Sequence, residues 1–464
     1  MSMIKKVFSV FVFVVAVSLV FVACEGPTTE KIVTVDGVER ISITKPNKTG
    51  YSQDGSFSSA GLVVVAHYTD GSAVTVNEGY TLYWQNIAIT DGNTAITGQV
   101  GDKTITVDWR GKTATFTVTV SNDNNITVTT TDQWNNALSL IRDGGNTQEY
   151  TLTITGDVGV PGSTAASTSF GSVTGLGVTL TGTGKLHLTG RGSILRLGNN
   201  QTLYIDGPTL EGLTTGANGA TQNNDNPVVY ITGATAKLEL RSGTISGNTN
   251  SSNGGGVYVT TGGSFIMTGG SISGNTFTGG NYSGGGVYVS GSNSNFTMSG
   301  GTVSGNISDY NGGGVSVDNY GSFTMSAGTI SGNSITSNSF GNLGTIGGGG
   351  VHVNTNGNFT MAGGTISGNA VNGTYTNGGG VYVNYDGSFS KSGGGVIYGN
   401  NAPNEADKNT APSNNWGQAV YYYASYSPTV IYYRDTTLDT GDGISTAGTL
   451  PANSGDELNN WTKR

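Results

Sequence analysis

The sequence predicts an all-β chain in which a small β-sandwich is followed by a long stack of parallel coils. Three observations lead to this fold class. Glycine supplies 78 of the 464 residues and charged residues only 11%, far from the composition of an average globular chain. Alternating apolar and polar residues fill the region after the first few dozen residues, as in half-buried strands. A glycine-rich motif then recurs along most of the remaining chain, which indicates a repeat architecture.

The first residues have the order of a secretory signal. Lys5 and Lys6 precede the apolar segment 7–22, and Ala23 then stands directly before Cys24. A positive start, an apolar middle and a small residue define a signal peptide, and the apolar segment is short for a membrane span. Cys24 is the chain's one cysteine, so no disulfide can form within the chain.

The Ala23-Cys24 pair resembles the lipobox of bacterial lipoproteins, in the loose form found in spirochaetes. The resemblance implies cleavage before Cys24, a lipid on that cysteine, and a location at the outer membrane or cell surface. Residues 1–23 are then the signal peptide, and the polar segment 24–36 is a tether. Phe21 and Val22 depart from the usual pattern, and the alternative is an ordinary signal peptide followed by an unrelated cysteine.

Residues 37–121 alternate like the strands of a sandwich. Turn signals such as Asp70-Gly71 and Arg110-Gly111 separate the short runs, which predicts a two-sheet fold. The predicted strands are 38–44, 61–68, 80–84, 103–109 and 113–120. The segments GLVVVAHYTDGSAVTV and KTITVDWRGKTATFTVTV resemble bacterial Ig-like domains. That resemblance implies a spacer or stalk, and in some members a binding module.

Residues 122–148 contain the one predicted helix, 131–143. Thr131 or Asp132 is its expected N-cap, and Gly144-Gly145 is its expected end. The apolar face consists of Trp134, Leu138 and Ile141. Because an open stack exposes its last edge, a helix placed here predicts a cap for the N-terminal end of the repeats.

The repeat occupies residues 149–400. Residues 254–275 read GGGVYVTTGGSFIMTGGSISGN, and the pattern returns at 284–306, 312–333, 348–369 and 378–400. Degenerate earlier copies of the motif extend back to about residue 178, which gives about seven to nine coils. Each copy has three β patches, and alternation sends its Val, Phe, Met and Ile side chains inward. This pattern predicts a right-handed parallel β-helix, with 401–464 as a last coil and cap.

Two columns follow from stacking these copies. The interior column is Ile245, Ile272, Val303, Ile330, Ile366 and Ile397. The corner column is Asn248, Asn275, Asn306, Asn333, Asn369 and Asn400. Asparagine amides at one corner can hydrogen-bond along the stack, as in other asparagine ladders.

Charged residues are scarce in the repeats, which argues against catalysis. Between residues 243 and 400 they are Asp309, Asp318, Asp386 and Lys391, with one histidine, His352. A glycosidase needs two carboxyl groups facing one bond, and metal sites need clustered ligands. His67 and His187 stand isolated. With a net charge of −9, a nucleic-acid partner is also not expected. We therefore expect no catalytic residues, no metal, no cofactor and no nucleic-acid partner.

Two sets of residues are candidates for ligand contact. One is the aromatic residues of the inserts between coils, which are expected to be exposed: Phe277, Tyr282, Tyr310, Phe340 and Tyr375. The other is an outward column that is also expected to be exposed: Tyr230, Tyr258, Tyr288, Ser316, His352 and Tyr382. The alternatives are that the insert rings pack back on the coils and that the column only protects the sheet. A third row, Thr297, Thr324 and Thr360, resembles the threonine arrays of ice-binding β-helices, but Ile266 and Ser390 interrupt it.

The repeat text, GGGVYV with GSFTMSAGTISGN, resembles adhesin and polymorphic outer-membrane-type repeats on the fold that pectin lyases also use. The resemblance implies a lipid-anchored surface protein that binds host or neighbouring-cell glycans or proteins. Two alternatives stay open. One is a polysaccharide lyase or glycosidase on the same scaffold, and the other is a structural surface coat without a specific ligand.

Overall fold

The computed structural model describes residues 37–52, 57–93, 96–97, 101–121, 124–163, 168–279, 284–336, 346–372, 377–384, 386–392, 394–412, 417–426, 429–434, 437–438, 444–445 and 462–463. Cys24, Tyr282, Phe340 and Tyr375 lie outside these residues, as do the signal segment and the tether. The described chain is mostly strand with one α-helix, which confirms the all-β prediction. No helix in the described residues is long and apolar enough to cross a membrane.

The described part of the N-terminal domain has eight strands in two sheets. They are β1 (Val38–Thr44), β2 (Gly50–Ser52), β3 (Val63–Tyr68), β4 (Ala73–Val76), β5 (Thr81–Trp84), β6 (Ile87–Ile89), β7 (Gly101–Trp109) and β8 (Lys112–Ser121). One sheet has the order β1-β3-β4 and the other β2-β8-β7-β5-β6. The five predicted strands are all present, and β2, β4 and β6 are additional short strands.

Both sheets of this domain share one hydrophobic core. Ile41 and Val64 of the first sheet pack in the same cluster as Ile105, Phe116 and Val118 of the second. The inward residues alternate with exposed threonines along β8, as its sequence predicts.

The helix α1 (Thr131–Asp143) has the predicted bounds. Thr130 is its N-cap, because its hydroxyl accepts a hydrogen bond from the Gln133 N–H, so the expectation of Thr131 or Asp132 at that position is wrong. The apolar face is buried as expected, and Trp134, Leu138 and Ile141 belong to the core of the repeats.

The N-terminal domain docks against this helix. Lys48 and Asp143 form an ion pair, and the Thr49 hydroxyl donates a hydrogen bond to Oδ1 of Asn136 at 2.9 Å. A Cβ added at Gly50 would lie 2.9 Å from Cβ of Asn136, so β2 needs glycine where it meets α1. The domain is thus joined to the stack by a packed contact as well as by the chain.

The repeats form three parallel sheets, an arrangement consistent with a parallel β-helix. The first sheet follows the path β9 (Asn125–Val128), β10 (Glu149–Ile154), β12 (Leu176–Thr181), β15 (Gln201–Glu211), β17 (Lys237–Ser246), β20 (Ser264–Met267), β24 (Asn295–Ser304), β27 (Ser322–Ser331), β30 (Asn358–Met361) and β34 (Ser388–Lys391). Its flanking strands are β11 (Asp157–Val160), β13 (Lys185–Leu188), β21 (Ser271–Ser273), β31 (Thr365–Ser367), β35 (Val396–Ile397) and β38 (Ile444–Ser445). Two 3-10 turns, 217–219 and 405–407, lie between coils.

The second sheet is β14 (Leu195–Leu197), β16 (Val229–Ile231), β19 (Val257–Val259), β23 (Val287–Ser290), β26 (Val315–Asp318), β29 (Val351–Val353), β33 (Val381–Val383), β36 (Val420–Tyr426), β37 (Thr429–Arg434) and β39 (Thr462–Lys463). The third sheet is β18 (Thr249–Asn250), β22 (Thr276–Phe277), β25 (Ile307–Ser308), β28 (Ser334–Ile335) and β32 (Ala370–Val371). We call one level of this stack a coil.

The path of the first sheet has ten levels, from β9 to β34. Nine intervals of about 4.8 Å give a stack roughly 43 Å long. The first two levels, β9 and β10, lack the glycine motif, so counting motifs underestimates the number of coils. The helix α1 connects these two levels, so one strand of the stack precedes it.

Identical residues stack in register inside the coils. Phe296 pairs with Phe323 and Met298 with Met325, and the rings of Phe296 and Phe323 lie 4.7 Å apart. The predicted interior column is confirmed, because all six of its Ile and Val side chains are fully buried. At the corner between the two patches of the first sheet Gly301 has φ 78°, a conformation that favours glycine.

The corner asparagines form a continuous buried ladder. Nδ2 of Asn275 donates to Oδ1 of Asn306 at 3.0 Å, and Nδ2 of Asn306 donates to Oδ1 of Asn333 at 3.0 Å. At the last rung Nδ2 of Asn369 donates to Oδ1 of Asn409 at 2.9 Å. Asn409 therefore takes the position expected for Asn400, because the chain makes an extra turn through 400–408 before it returns to the corner.

Both ends of the stack are covered. At the N-terminal end α1 packs on the core of the first coils. At the C-terminal end β36 extends the second sheet in parallel and then turns into the antiparallel strand β37. The change to antiparallel pairing marks the end of the parallel stack at that sheet.

Candidate functional site

The outward column of the second sheet is largely buried, so the expectation that it is exposed is wrong. By register it runs through Arg196, Tyr230, Tyr258, Tyr288, Ser316, His352, Tyr382 and Tyr421. Tyr230 and Tyr258 are half-buried, whereas Tyr288, Ser316, His352 and Tyr382 are buried. We call these eight residues the ring column.

The glycine turns that lead into each coil cover the ring column. A Cβ added at Gly347 would lie 2.6 Å from Cδ2 of Tyr382, and one at Gly254 would lie 3.2 Å from Cβ of Tyr288. The backbone of these turns therefore lies directly against the rings. Alternation along a strand shows which side a residue faces, but it does not show that a loop covers that side.

The ring faces that remain partly accessible are occupied. Tyr230 and Tyr258 stack with centroids 5.0 Å apart, and Tyr258 stacks on Tyr288 at 5.0 Å. The guanidinium of Arg196 covers the other face of Tyr230, 4.3 Å from its centroid. A sugar or aromatic ligand therefore finds ring edges here and no free ring face.

His352 lies inside the ring column as a neutral imidazole. Its ring stacks on Tyr382 at 4.9 Å, and neither ring nitrogen has a hydrogen-bond partner among the residues that the structure describes. The hydroxyl of Ser316, its neighbour in register, is also buried without a partner. Burial lowers the pKa of His352 to about 3, because an imidazolium there would lose its hydration.

The inserts begin as strands of the third sheet, which the sequence interpretation missed. Phe277 is fully buried in β22, so it is not an exposed contact residue. Tyr310 is half-buried and packs against the small cluster of Ile335, Ile346 and Val371. The described insert rings therefore pack back on the coils. Two-residue strands carry no periodicity, so the only hint of them in the sequence is an apolar residue within two positions of most SGN corners.

A charged patch lies on the first coils, outside the segment in which the sequence suggests few charges. It consists of Asp157, Lys185, His187 and Glu211, on three successive strands. Nζ of Lys185 lies 2.8 Å from Oε2 of Glu211 and 3.3 Å from Oδ2 of Asp157. Nδ1 of His187 lies 2.7 Å from Oδ1 of Asp157, so this histidine is not isolated.

The two carboxylates of the charged patch are held ionised. Burial raises the pKa of Glu211, but hydrogen bonds from Lys185 and Asn218 outweigh it and leave that pKa below the ordinary value. Burial likewise raises the pKa of Asp157 and is outweighed by hydrogen bonds from His187 and Lys185. The hydrogen bond to Glu211 raises the pKa of Lys185. Each charge thus has an opposite charge as its partner.

A second paired cluster follows on the next coil. Glu239 accepts from Nε of Arg241 at 2.7 Å and lies 3.2 Å from Nζ of Lys237. The Arg241 guanidinium sits 4.2 Å from the ring centroid of Tyr204. Burial raises the pKa of Glu239, and the bonds from Arg241 and Lys237 bring it below the ordinary value.

The aspartates of the later coils are not brought together. Asp318 is buried, and burial raises its pKa despite hydrogen bonds from the Asn319 N–H, Asn354 and Tyr288. Burial also raises the pKa of Asp309. Asp386 is exposed in a turn. Within the described chain, no group of three His, Cys, Asp or Glu side chains is placed to hold a metal ion.

The outer side of the first sheet is a continuous polar surface across the later coils. Its rows, read along the stack, are Ser264, Asn295, Ser322, Asn358 and Ser388; Ile266, Thr297, Thr324, Thr360 and Ser390; Ser271, Thr302, Thr329, Thr365 and Val396; and Ser273, Ser304, Ser331 and Ser367. Most of these side chains are half-buried or exposed, and none is charged. We call this surface the hydroxyl face.

A small polar cleft lies where the N-terminal domain meets α1. It has a volume of about 260 Å³ and is lined by amide and hydroxyl side chains, with Lys45 and Asp132 among them. Most of its lining is exposed, so it is a shallow groove at the junction.

Comparison with known proteins adds no relative: no protein-family model matches the chain, and no curated protein matches it. The functional interpretation therefore depends on the surface chemistry described above.

Proposed function

We propose that this protein is an exported, lipid-anchored surface protein that presents a right-handed parallel β-helix for adhesion or ligand binding. The ligand is a glycan or a protein of a host or neighbouring cell. The lipid on Cys24 supplies the membrane attachment, since two or more acyl chains anchor a protein stably. The tether and the N-terminal domain, which resembles bacterial Ig-like domains, hold the stack away from the membrane.

The surface chemistry of the stack is the observation that carries this proposal. The charges of the charged patch and of the Glu239 cluster are paired with one another, and the hydroxyl face carries none across the later coils. Over its five coils, roughly 19 Å at about 4.8 Å per interval, the hydroxyl face therefore offers a continuous neutral polar surface, which suits recognition by many hydrogen bonds. The docked junction of β2 with α1 supports the role of the N-terminal domain, because a packed contact keeps the stack oriented relative to its support.

A polysaccharide lyase or glycosidase is the second candidate, and the charged patch is the observation that favours it. Asp157 and Glu211 lie on the two strands that flank β13, and Lys185 on β13 lies between them. Glycoside hydrolysis needs one protonated carboxyl group, whereas the partners of both residues lower their pKa. A Glu211→Gln variant that abolished polysaccharide cleavage by the full chain would establish this candidate instead.

The proposed function is tested on cells that express the full chain. Protease treatment of intact cells should remove the stack, and the detergent-solubilised protein should bind members of an array of glycans and matrix proteins. Protection from protease in intact cells would contradict surface display. Surface display without binding to any member of the array would favour a structural coat.

A further inference from the structure

We propose that the hydroxyl face binds a neutral linear polysaccharide whose chain runs along the axis of the stack. This inference rests on the proposed surface-binding function and names the surface and the ligand class.

The side chains of the hydroxyl face select against charged ligands and against proteins. A polyanion would need rows of Lys or Arg, and a polycation would need carboxylates, but the face has neither. Protein interfaces depend on a few buried aromatic or Arg anchors. The apolar members of the face are Ile266 in its first coil and Val396 in its last, so its centre has no such anchor. A ligand rich in hydroxyls and free of charge is the chemical complement.

The centre of the face offers hydroxyls that the protein does not use. Hydrogen bonds pair Ser264 with Asn295 at 2.9 Å and Ser390 with Thr360 at 3.3 Å, near the two ends. Between them, the hydroxyls of Thr324 and Thr329 have no partner among the residues that the structure describes. Both lie on β27, the middle coil of the face. They can donate and accept, as contact with a polyol requires.

The face is also preorganised. Its rows lie on hydrogen-bonded parallel strands, and the inward neighbours of Thr324 are the fully buried Phe323 and Met325. Threonine is stiff at χ1 because it is branched at Cβ. Binding therefore orders few additional side-chain rotations, which lowers its entropic cost.

The repetition of the rows explains why the ligand is linear. Each row repeats at every coil, so the five coils of the face span roughly 19 Å at about 4.8 Å per interval. Each hydrogen bond contributes little because water competes for it. A polymer with hydroxyls at regular intervals makes the same contact on successive coils. We therefore expect affinity to rise with oligosaccharide length until the chain spans the face, and then to level off.

The experiment measures binding of the detergent-solubilised full chain to mannan, dextran and laminarin, with heparin and polygalacturonate as anionic probes. Size-graded oligomers of the best neutral probe give the length dependence. The test variant is Thr324→Val with Thr329→Val, which removes two hydroxyls and keeps the shape. The matched control is Ser334→Ala, on the same coil but in the third sheet. Matching circular dichroism spectra and urea midpoints show that all three proteins are folded.

We expect a neutral probe to bind, the double variant to weaken binding by about tenfold or more, and the control to stay within about twofold. Equal binding by the double variant would overturn the choice of face. Binding only to anionic probes or to a protein would overturn the ligand class. In both cases the proposed surface-binding function still stands. If the wild type binds no probe, no member of the wider array and no cell, that function fails and this inference fails with it.

Discussion

Replacing Asn306 by alanine is the sharpest perturbation of the asparagine ladder. Its side chain is fully buried and makes bonds in both directions along the stack. Towards the preceding coil, Oδ1 accepts from the Asn275 N–H at 3.0 Å and Nδ2 donates to the Ile272 carbonyl at 2.9 Å. Towards the next coil, Nδ2 donates to Oδ1 of Asn333 at 3.0 Å. Alanine removes Oδ1 and Nδ2 together and puts no polar atom in their place.

The expected loss follows from the groups that remain. The Asn275 N–H and the Ile272 carbonyl would stay buried without these partners, and each such group costs about 1–3 kcal/mol. We therefore expect Asn306→Ala to lower the free energy of unfolding by about 4 kcal/mol. The control is Asn295→Ala in the same coil, whose half-buried side chain lies on the hydroxyl face. Its loss should stay below about 1 kcal/mol.

Urea unfolding of the full chain, followed by far-ultraviolet circular dichroism, measures both variants. Unfolding midpoints that are the same for Asn306→Ala and Asn295→Ala would contradict a stabilising ladder, because its buried amide would then contribute no more than a surface amide. Repeat stacks are coupled to their neighbours, so the transition should shift as a whole and not only at one coil.

Three further predictions concern the core, the ring column and the junction. His352→Tyr should remove an acid-induced loss of stability: the folded pKa of His352, about 3, lies below the ordinary 6.5, so stability is complete above pH 6.5 and falls on acidification towards pH 3. At about 1.4 kcal/mol per pH unit, the wild type should lose roughly 3 kcal/mol of unfolding free energy by pH 4. Urea midpoints at pH 7 and pH 4 measure this loss, and Tyr382→Phe is the control. A His352→Tyr variant that loses as much stability between these pH values as the wild type would contradict the prediction. Phe323→Ala should lower the free energy of unfolding by about 3–5 kcal/mol, since the ring is fully buried. The control is Thr324→Ala on the outer side of the same strand, and equal melting temperatures for the two variants would argue against a stacked core. Lys48→Met should lower the free energy of unfolding by about 1 kcal/mol, because it removes the ion pair with Asp143 and the contact of Nζ with the Tyr51 ring, 4.4 Å from its centroid. An unchanged unfolding midpoint would mean that this contact does not couple the N-terminal domain to the stack.

The sequence was most informative where the same residue type recurs at equivalent positions of successive repeats. A single Ile in a glycine-rich segment predicts little, but Ile272, Ile330 and Ile366 at equivalent positions predict a column, and all are buried. The helix was equally clear, because its apolar spacing and its Gly-Gly end agree. Its N-cap was misplaced by one residue because Thr130, Thr131 and Asp132 are all residue types that cap helices.

The features that the sequence did not predict depend on contacts between residues of different coils, which no local pattern encodes. Tyr382 alternates like an exposed residue, yet Gly347 of the preceding coil lies against its ring. The pairing of His187 with Asp157 joins residues about one coil apart. The repeat motif is degenerate in this part of the chain, so the sequence does not show which residues stack. Phe277 belongs to a two-residue strand, which is too short for periodicity to reveal.

We propose that a lipid on Cys24 holds this protein at a cell surface. Mass spectrometry of the mature N-terminal peptide, together with membrane fractionation of a Cys24→Ser variant, tests this attachment. We expect a peptide that begins at Cys24 and carries acyl chains, and a variant that leaves the membrane fraction. An unmodified Cys24, or a Cys24→Ser variant that stays with the membrane, would contradict it.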